Sequence, residues 1–265
     1  ADMTQRAITV LESVDLIAAE DTRHSGQLFR RYQISTPSIS LHEHNESERV
    51  DQLLRRLAGG ASIALVSDAG TPLISDPGYL LVSRVREAGY QVVPVPGASA
   101  VITALCASGL PTDSFTFAGF IPTRSAQRES FFSRFVRVPQ TLVFYESPKR
   151  LTESLQCVAQ LFGADRQVVI ARELTKLHET FLSGSAASLV ERLHDEPGQA
   201  RGEIVLLVEG EKRSDIQTAL ELDEQNERWL RALLQELPVS RAAQLVAKVT
   251  GLPRRKLYNY ALTLQ

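Results

Sequence analysis

Ser67-Asp68-Ala69-Gly70-Thr71-Pro72-Leu73-Ile74-Ser75-Asp76-Pro77-Gly78 decides how this chain is read. It follows an apolar run, Ile63-Ala64-Leu65-Val66, and leads into an amphipathic one, Tyr79 to Arg86. That order places it in the turn between a buried strand and a helix, where open α/β sheets put their ligand sites. Two glycines and two prolines let bare backbone approach a bound group, and Asp68 and Asp76 add acceptors. For Asp76 the simpler reading is an N-cap, with Pro77 at the first helical position. Asp68 stands at the strand tip with no helix starting right after it, so there a functional reading comes first.

Outward from this turn, strand-like and helical runs alternate. Residues 15–19, 38–41, 63–66 and 91–94 read as strands, with helical patterns such as 46–57 and 79–87 between them. This βαβ rhythm predicts a mostly parallel sheet covered on both faces. A helix over 99–108 stops at Gly109, with Pro111 just beyond. The stretch from Asp113 to Glu209 has another texture: strands near 115–117, 141–145, 168–171, 180–182 and 203–208, and helices over 125–136, 148–161 and 186–193. It predicts a second α/β domain with a mixed sheet. After Gly210 the chain turns polar, then helical over 227–237, 242–249 (with Ser240 as cap) and 254–264. A helix, the Gly251 turn and a basic, tyrosine-bearing helix fit either a helix-turn-helix unit or a three-helix packing appendage. The expected division is an N-terminal α/β domain over 1–111, a second over 112–212 and a helical unit over 213–265. The chain opens in a helical pattern, 4–14, where an α/β domain normally starts with a strand, so a first strand is expected to precede Ala1.

Composition narrows the class. Of 265 residues, 43% are hydrophobic and 23% charged, as in a globular protein, and no apolar run approaches a membrane span. Cys106 and Cys157 lie in apolar helical patterns without metal-type spacing, which fits a reduced, cytoplasmic setting. Net charge is −2, so there is no global pull towards nucleic acid. Basic residues nevertheless gather in two places: Arg124, Arg128, Arg134, Arg137, Lys149 and Arg150, and then Arg241, Lys248, Arg254, Arg255 and Lys256. Such segments offer contacts to phosphates, or simply a solvated face.

The phosphate-cradling G-x-x-x-x-G-K-[ST] loop, H-E-x-x-H, G-x-S-x-G and a dinucleotide G-x-G turn are all absent. Present instead are turns bearing small residues and carboxylates at four strand ends: 19–23, 41–45, 67–72 and 94–100. Strand ends of one parallel sheet share a side, so these turns are expected to line one crevice. Glu20, Asp21 and Arg23 form either a site or a capped ion-pair cluster. His42 and His44 share a strand face but bring no further ligands. Glu146 and Glu173 also end strands, where salt bridges with Arg150 or Arg172 are the plain alternative to a site.

The motifs A-A-E-D-T-R (18–23), L-H-E-H-N-E (41–46) and S-D-A-G-T-P-L-I-S-D-P-G (67–78) are followed by three more. These are V-P-G-A-S-A (95–100), F-Y-E-S-P (144–148) and A-R-E-L-T-K (171–176). In that order they resemble the tetrapyrrole methylase superfamily of S-adenosylmethionine enzymes. More narrowly they are similar to its bacterial RsmI type, the 16S ribosomal RNA cytidine 2′-O-ribose methyltransferases. The likeness runs from Ala1 to Gln265. It departs at the start, where the family has a strand and a T-P-I-G-N-L-type turn.

The resemblance implies two α/β domains with S-adenosylmethionine in the cleft between them. It sets Asp68, Ala69, Gly70 and Thr71 at the amino acid end or sulfonium side of the donor. Ser99 and Ala100 lie beside it, with Tyr145 and Ile204 on the adenine side. It implies 16S ribosomal RNA of the small subunit as partner, gripped by the two basic segments, and a homodimer. For the base that takes the hydroxyl proton, the candidates are Glu20, Asp21, His42, Glu43, His44, Glu146 and Lys176. The preferred catalytic cluster is Glu20, Asp21 and Arg23, with Arg23 holding a phosphate or the ribose. A precorrin or uroporphyrinogen methylase, or a non-catalytic RNA-binding protein, are the competing readings.

Overall fold

The computed structural model describes residues 2–211 and 224–264. The chain divides into two compact units, residues 1–135 with 141–209, and residues 136–140 with 210–265. The first unit holds two sheets. One is parallel and three-stranded, with β1 (Leu16–Ala19), β2 (Ser38–Ser40) and β3 (Ile63–Val66) in the order β2-β1-β3. Every residue of β1 is buried, as a central parallel strand requires, and its Leu-Ile-Ala-Ala run accordingly shows no polar alternation. Leu16 and Ala18 meet Leu41 and the apolar faces of α3 (Glu46–Ala58) and α4 (Tyr79–Glu87). Ile17 and Ala19 point the other way, to Leu11 of α1 (Gln5–Ser13) and Phe29 of α2 (Thr22–Arg31). This is the two-residue period of a strand buried on both faces.

Residues 91–94 do not form the expected fourth strand; the segment 90–99 is neither helix nor strand. Pro94 and Pro96 have no amide hydrogen to give a ladder, and Val92 and Val93 are exposed. The β-like composition was a sound local signal, but no neighbouring strand receives it.

The second sheet is mixed and five-stranded. It comprises β4 (Phe115–Phe120), β5 (Thr141–Glu146), β6 (Gln167–Arg172), β7 (Thr180–Ser185) and β8 (Ile204–Val208), ordered β4-β5-β8-β6-β7. Only the β4–β5 pair among them is parallel. On one face α5 (Ala100–Ser108) lays Val101, Ala104 and Leu105 against Val143, Val169, Ala171, Val205 and Leu207. On the other, Phe144 meets the edges of Phe131, Phe132 and Phe135 near α6 (Ser125–Ser133). Phe132 also meets Phe162 of α7 (Leu151–Phe162). After β7, α8 (Ala186–Asp195) begins with the Ser185 hydroxyl accepting from the Ser188 amide.

The described helices of the second unit are α9 (Glu224–Glu236), α10 (Val239–Thr250) and α11 (Arg254–Thr263). They close on Leu230, Ala242, Ala243, Val246, Leu252, Leu257 and Ala261. Gly251 ends α10 at φ 73°, the left-handed conformation a tight helix stop needs. Ser240 is not the cap. Pro238 holds that position, its carbonyl accepting from Arg241 and Ala242, because its extended ring-fixed backbone starts the helix one residue before Ser240.

Phe132→Ala should lower the stability of the first unit by about 3–5 kcal/mol, since it removes a fully buried ring from the middle of the aromatic cluster. Urea unfolding followed by near-ultraviolet circular dichroism measures this; an unchanged midpoint would contradict the packing described.

Candidate active site

A cavity of about 960 Å³ opens within the first unit, walled by both of its sheets. That is the size of a site for a cofactor-like molecule. From the parallel sheet come β3, the turn 67–72 with Ile74 and Asp76, and the segment 95–100 leading into α5. From the mixed sheet come Phe120, residues 145–148, the turn 174–176 and residues 202–205. Met3, Ala7, Leu28 and Tyr32 add an apolar side. The Gly70 and Gly97 backbones face the opening, and a Cβ at either would meet no atom within 4 Å. Such bare backbone leaves a cradle for a ligand.

The 67–78 turn is built from unusual backbone. Leu73 and Ser75 take φ of 73° and 64°, beside Gly70 at 75° and Gly78 at 119°. Left-handed conformation is costly for a leucine, and such residues gather at functional sites. Gly78 is also sterically required, since a Cβ there would lie 2.6 Å from Leu65 Cδ2. Gly78 is the N-cap position of α4, so Asp76 does not cap the helix as expected. The helix starts two residues later than the Asp-Pro pair implies, and the Asp76 side chain lines the cavity instead.

Three carboxylates gather where β1 and β3 end. Glu20 Oε2 accepts from the Asp68 amide at 3.1 Å, and Asp68 Oδ1 accepts from the Asp21 amide at 3.1 Å. Asp76 stands close enough to feel the charges of both Glu20 and Asp68. Partial burial raises the Asp76 carboxyl above the usual aspartate range; those two charges add to the rise, while the Ser67 hydroxyl opposes it. Across the cavity, burial raises the Tyr145 phenol, and the charge of Asp76 raises it further. Tyr145 is clasped edge-on by Phe117 and Phe120, with ring centroids at 4.9 and 5.3 Å.

The mixed sheet supplies two braced ends. Buried Glu146 pairs with Arg150 at 2.8 Å and accepts from the Ser154 hydroxyl and the Ser147 amide. Glu173, at φ 51°, accepts from the Glu203 amide, and its amide returns a bond to the Glu203 carbonyl. That amide bond, with Lys176 adding to it, lowers the Glu173 carboxyl. Partial burial works against the Lys176 ammonium, yet Glu173 and Glu203, at 3.0 and 3.2 Å, raise it overall. Gly202 makes the clasp possible, because a Cβ there would fall 2.4 Å from the Glu173 carboxyl.

Asp68, Ala69, Gly70, Thr71, Ser99, Ala100, Tyr145 and Ile204 all line this cavity. Glu20, Asp21 and Arg23 do not. Asp21 is the N-cap of α2, accepting from the Arg23 amide and pairing with its guanidinium at 2.9 Å. The hydrogen bonds from Arg23 hold its carboxyl down at about 2. His42, Glu43 and His44 also lie off the cavity lining; Asn45 donates to His42 Nε2, and the two rings meet edge-on at 6.0 Å. Of the four turns expected in one crevice, only 67–72 and 94–100 reach it. The cavity borders β3, at one edge of the sheet, whereas β2 stands two strands away, roughly 10 Å.

The first basic segment is largely occupied internally. Arg128 is buried against Glu153, Arg137 pairs with Glu211, Arg150 with Glu146, and Arg134 lies over the rings of Phe131 and Phe135. Arg124 and Lys149 are exposed, as are Arg241, Lys248, Arg254 and Arg255 near the C-terminus. Sequence reasoning passed over Thr175, Lys176 as a braced group, and the cavity position of Asp76. Thr175 and Glu173 are non-glycine residues at positive φ, which no residue type announces. Asp76 was hidden by a cap-like Asp-Pro pair.

Two α/β sheets around one large cavity are the architecture of a methylase. Residues 1–190 match the family of Tetrapyrrole (Corrin/Porphyrin) Methylases, and the chain belongs to it. Residues 221–265 match the RsmI C-terminal HTH domain. Ribosomal RNA small subunit methyltransferase I of Vibrio cholerae is 49% identical over 261 residues, covering 98% of this chain and 90% of that protein. The same-named protein of Escherichia coli O157:H7 is 47% identical over 265 residues, covering 100% and 91%. Among solved structures, the methyltransferase CobJ superposes with a TM-score of 0.58 at 17% identity, over 79% of this chain and 88% of that one. Uroporphyrin-III C-methyl transferase from Thermus thermophilus, complexed with S-adenyl homocysteine, gives 0.52 at 17% identity, over 78% and 90%. The α/β fold is thus that of the tetrapyrrole methylases.

Because the Asp21 carboxyl is held near 2 against an ordinary 3.8, its contribution to stability is full above pH 4 and is lost as pH falls through about 2. Asp21→Asn should therefore melt a few degrees below the parent at pH 7, and the gap should close between pH 4 and pH 2. Calorimetric melting temperatures across that range test it; a gap independent of pH would remove the carboxylate from the account.

Proposed function

We propose that this chain is an S-adenosylmethionine-dependent methyltransferase that methylates the ribose 2′ oxygen of a cytidine in 16S ribosomal RNA. The observation that carries this reading is the match of residues 221–265 to the RsmI helix-turn-helix domain on a chain whose first 190 residues are a methylase. A tetrapyrrole acceptor would leave these helices and their exposed arginines without a task. Near full-length likeness to proteins named for small-subunit ribosomal RNA supports the same substrate.

The cavity fits the donor. It is large enough, it exposes the open backbone of Gly70 and Gly97, and it sets an acidic turn opposite an aromatic ring. When bound, S-adenosylmethionine supplies a methyl group made electrophilic by its sulfonium. Asp68, Ala69, Gly70 and Thr71 would hold the amino acid end and the sulfonium side, where a carboxylate favours a positive centre. Ser99 and Ala100 would flank them at the N-terminus of α5, with Tyr145 and Ile204 against the adenine. Thr71 is already fixed by its hydroxyl, which donates to the Ala98 carbonyl at 3.0 Å.

Glu20 and Asp21 would brace Asp68 and the start of α2, leaving Arg23, with 91% of its side chain exposed, to hold a phosphate at the rim. Arg241, Lys248, Arg254 and Arg255 would bind the RNA backbone, with the target nucleotide turned out to reach the cavity. The domain organisation we favour is 1–111, 112–212 and 213–265. A cytoplasmic homodimer acting on the small ribosomal subunit completes the reading; exposed Tyr79, Val93, Ile102 and Phe120 are side chains of the kind a second copy covers.

Incubation with methyl-labelled S-adenosylmethionine and small ribosomal subunits lacking the modification should place label on a cytidine 2′ oxygen, located by nuclease digestion and mass spectrometry. Label on a porphyrinogen and none on RNA would overturn the substrate. Asp68→Ala should weaken binding of S-adenosylhomocysteine at least tenfold by calorimetry. Reversing the charges of Arg254 and Arg255 should weaken RNA binding and flatten its salt dependence without changing donor affinity.

A further inference from the structure

Apart from the exposed Asp2, Asp76 is the one cavity-lining carboxylate among the described residues that is neither ion-paired nor committed to a backbone amide. Asp68 accepts from the Asp21 amide, Glu146 is taken by Arg150, Ser154 and Ser147, and Glu203 pairs with Lys176. The Ser67 hydroxyl, which donates to the Ala69 carbonyl at 3.3 Å, is the neighbour that favours the charged form of Asp76. Its position is set rather than incidental. Leu73 and Ser75 hold left-handed backbone just before it, Ser75 lies beside Gly119 of β4, and Gly78 locks against Leu65 just after it. The turn thus delivers a half-buried carboxylate into the cavity, facing Tyr145 from β5.

Resting on the function proposed above, we propose that Asp76 is the general base of methyl transfer, taking the proton of the ribose 2′ hydroxyl. The 2′ oxygen attacks the methyl carbon as the carbon–sulfur bond breaks, and that bond's electron pair stays on sulfur, which becomes a neutral thioether. The O–H proton passes to an Asp76 carboxylate oxygen, leaving a neutral methyl ether and a neutral carboxyl. A base works best when its proton affinity lies near the working pH. The titratable groups that face Asp76 are Glu20 at the end of β1, Asp68 in the same turn and Tyr145 on β5. The two carboxylates and partial burial move Asp76 in the required direction, since they disfavour its charged form. No cation beside it cancels that effect among the described ion pairs.

The test uses the full chain with small ribosomal subunits lacking the modification. Asp76→Asn keeps the shape and removes the base. It should bind S-adenosylhomocysteine within about threefold of the parent by calorimetry. Its single-turnover methyl transfer should fall by about 10²–10⁴-fold and lose the limb that rises with pH in the parent. Carbon-13 NMR of the aspartate carboxyls should show one signal titrating above the ordinary range in the parent and missing in the variant. Transfer by Asp76→Asn within threefold of the parent, with the same pH limb, overturns the assignment. If Asp76→Asn binds no S-adenosylhomocysteine, Asp76→Glu decides: a retained pH limb supports the base and a lost one refutes it. A parent that labels no RNA at all, while binding the analogue, refutes the proposed function itself.

Discussion

The cavity exists because α5 belongs to two places at once. Its body buries Val101, Ala104 and Leu105 on the mixed sheet, while its N-terminal residues, Ser99 and Ala100, stand beside the turn that follows β3. Burying each of those larger aliphatic side chains contributes about 1.5–3 kcal/mol. The helix is therefore fixed on the mixed sheet by its own apolar face, and its first turn has no freedom to close over the opening. Residues 95–98, with one proline and one glycine, form neither helix nor strand in front of it. The two sheets of the first unit are held at the edges of one space rather than against each other there.

Within that space, charge is distributed by hydrogen bonding. The carboxylates of Glu20 and Asp68 each accept a backbone amide, so they serve as ties between the ends of β1 and β3. In the mixed sheet, buried Glu146 ties the end of β5 to the following helix through the half-buried Arg150 and Ser154, and Glu173 is held by an amide and a lysine. A carboxylate whose acceptors are all taken in this way, as at Glu146, is structural, whereas Asp68 gives one oxygen to the Asp21 amide and still lines the cavity. Asp76 differs because the left-handed Leu73 and Ser75 turn it inward. Strained backbone is tolerated at this turn because Gly78 locks it against Leu65.

Much of the fold was legible. The unbroken Leu-Ile-Ala-Ala run of β1 marked a strand buried on both faces, and Gly109 and Gly251 marked helix ends that the backbone adopts at φ 73° in both cases. The change of texture after Leu110 marked a second, mixed sheet. Local signals failed where the outcome rested on a neighbour: residues 91–94 are composed like a strand, yet no strand receives them. Ser240 looked like a cap, but Pro238 had already begun the helix. The basic run from Arg124 to Arg150 looked like a grip for phosphate. Four of its five arginines instead answer Glu153, Glu211, Glu146 and two phenylalanine rings, none of them near in sequence except Glu146 and the rings.

By itself the sequence determined the class of the chain and the turns that carry its chemistry, because small residues, prolines and carboxylates at strand ends are local facts. The order of its motifs sufficed to relate it to the methylases. Only the tertiary structure decided which carboxylate is spent and which is not. That depends on which amide or cation a side chain meets across the sheet, 48 positions away for Glu20 and Asp68. It also decided which turns share the cavity, since strand order, not strand sequence, sets their distance from β3. Acidity follows from the same contacts: the Asp21 carboxyl is lowered by Arg23 beside it, whereas Asp76 is raised by burial and by charges that folding brings near.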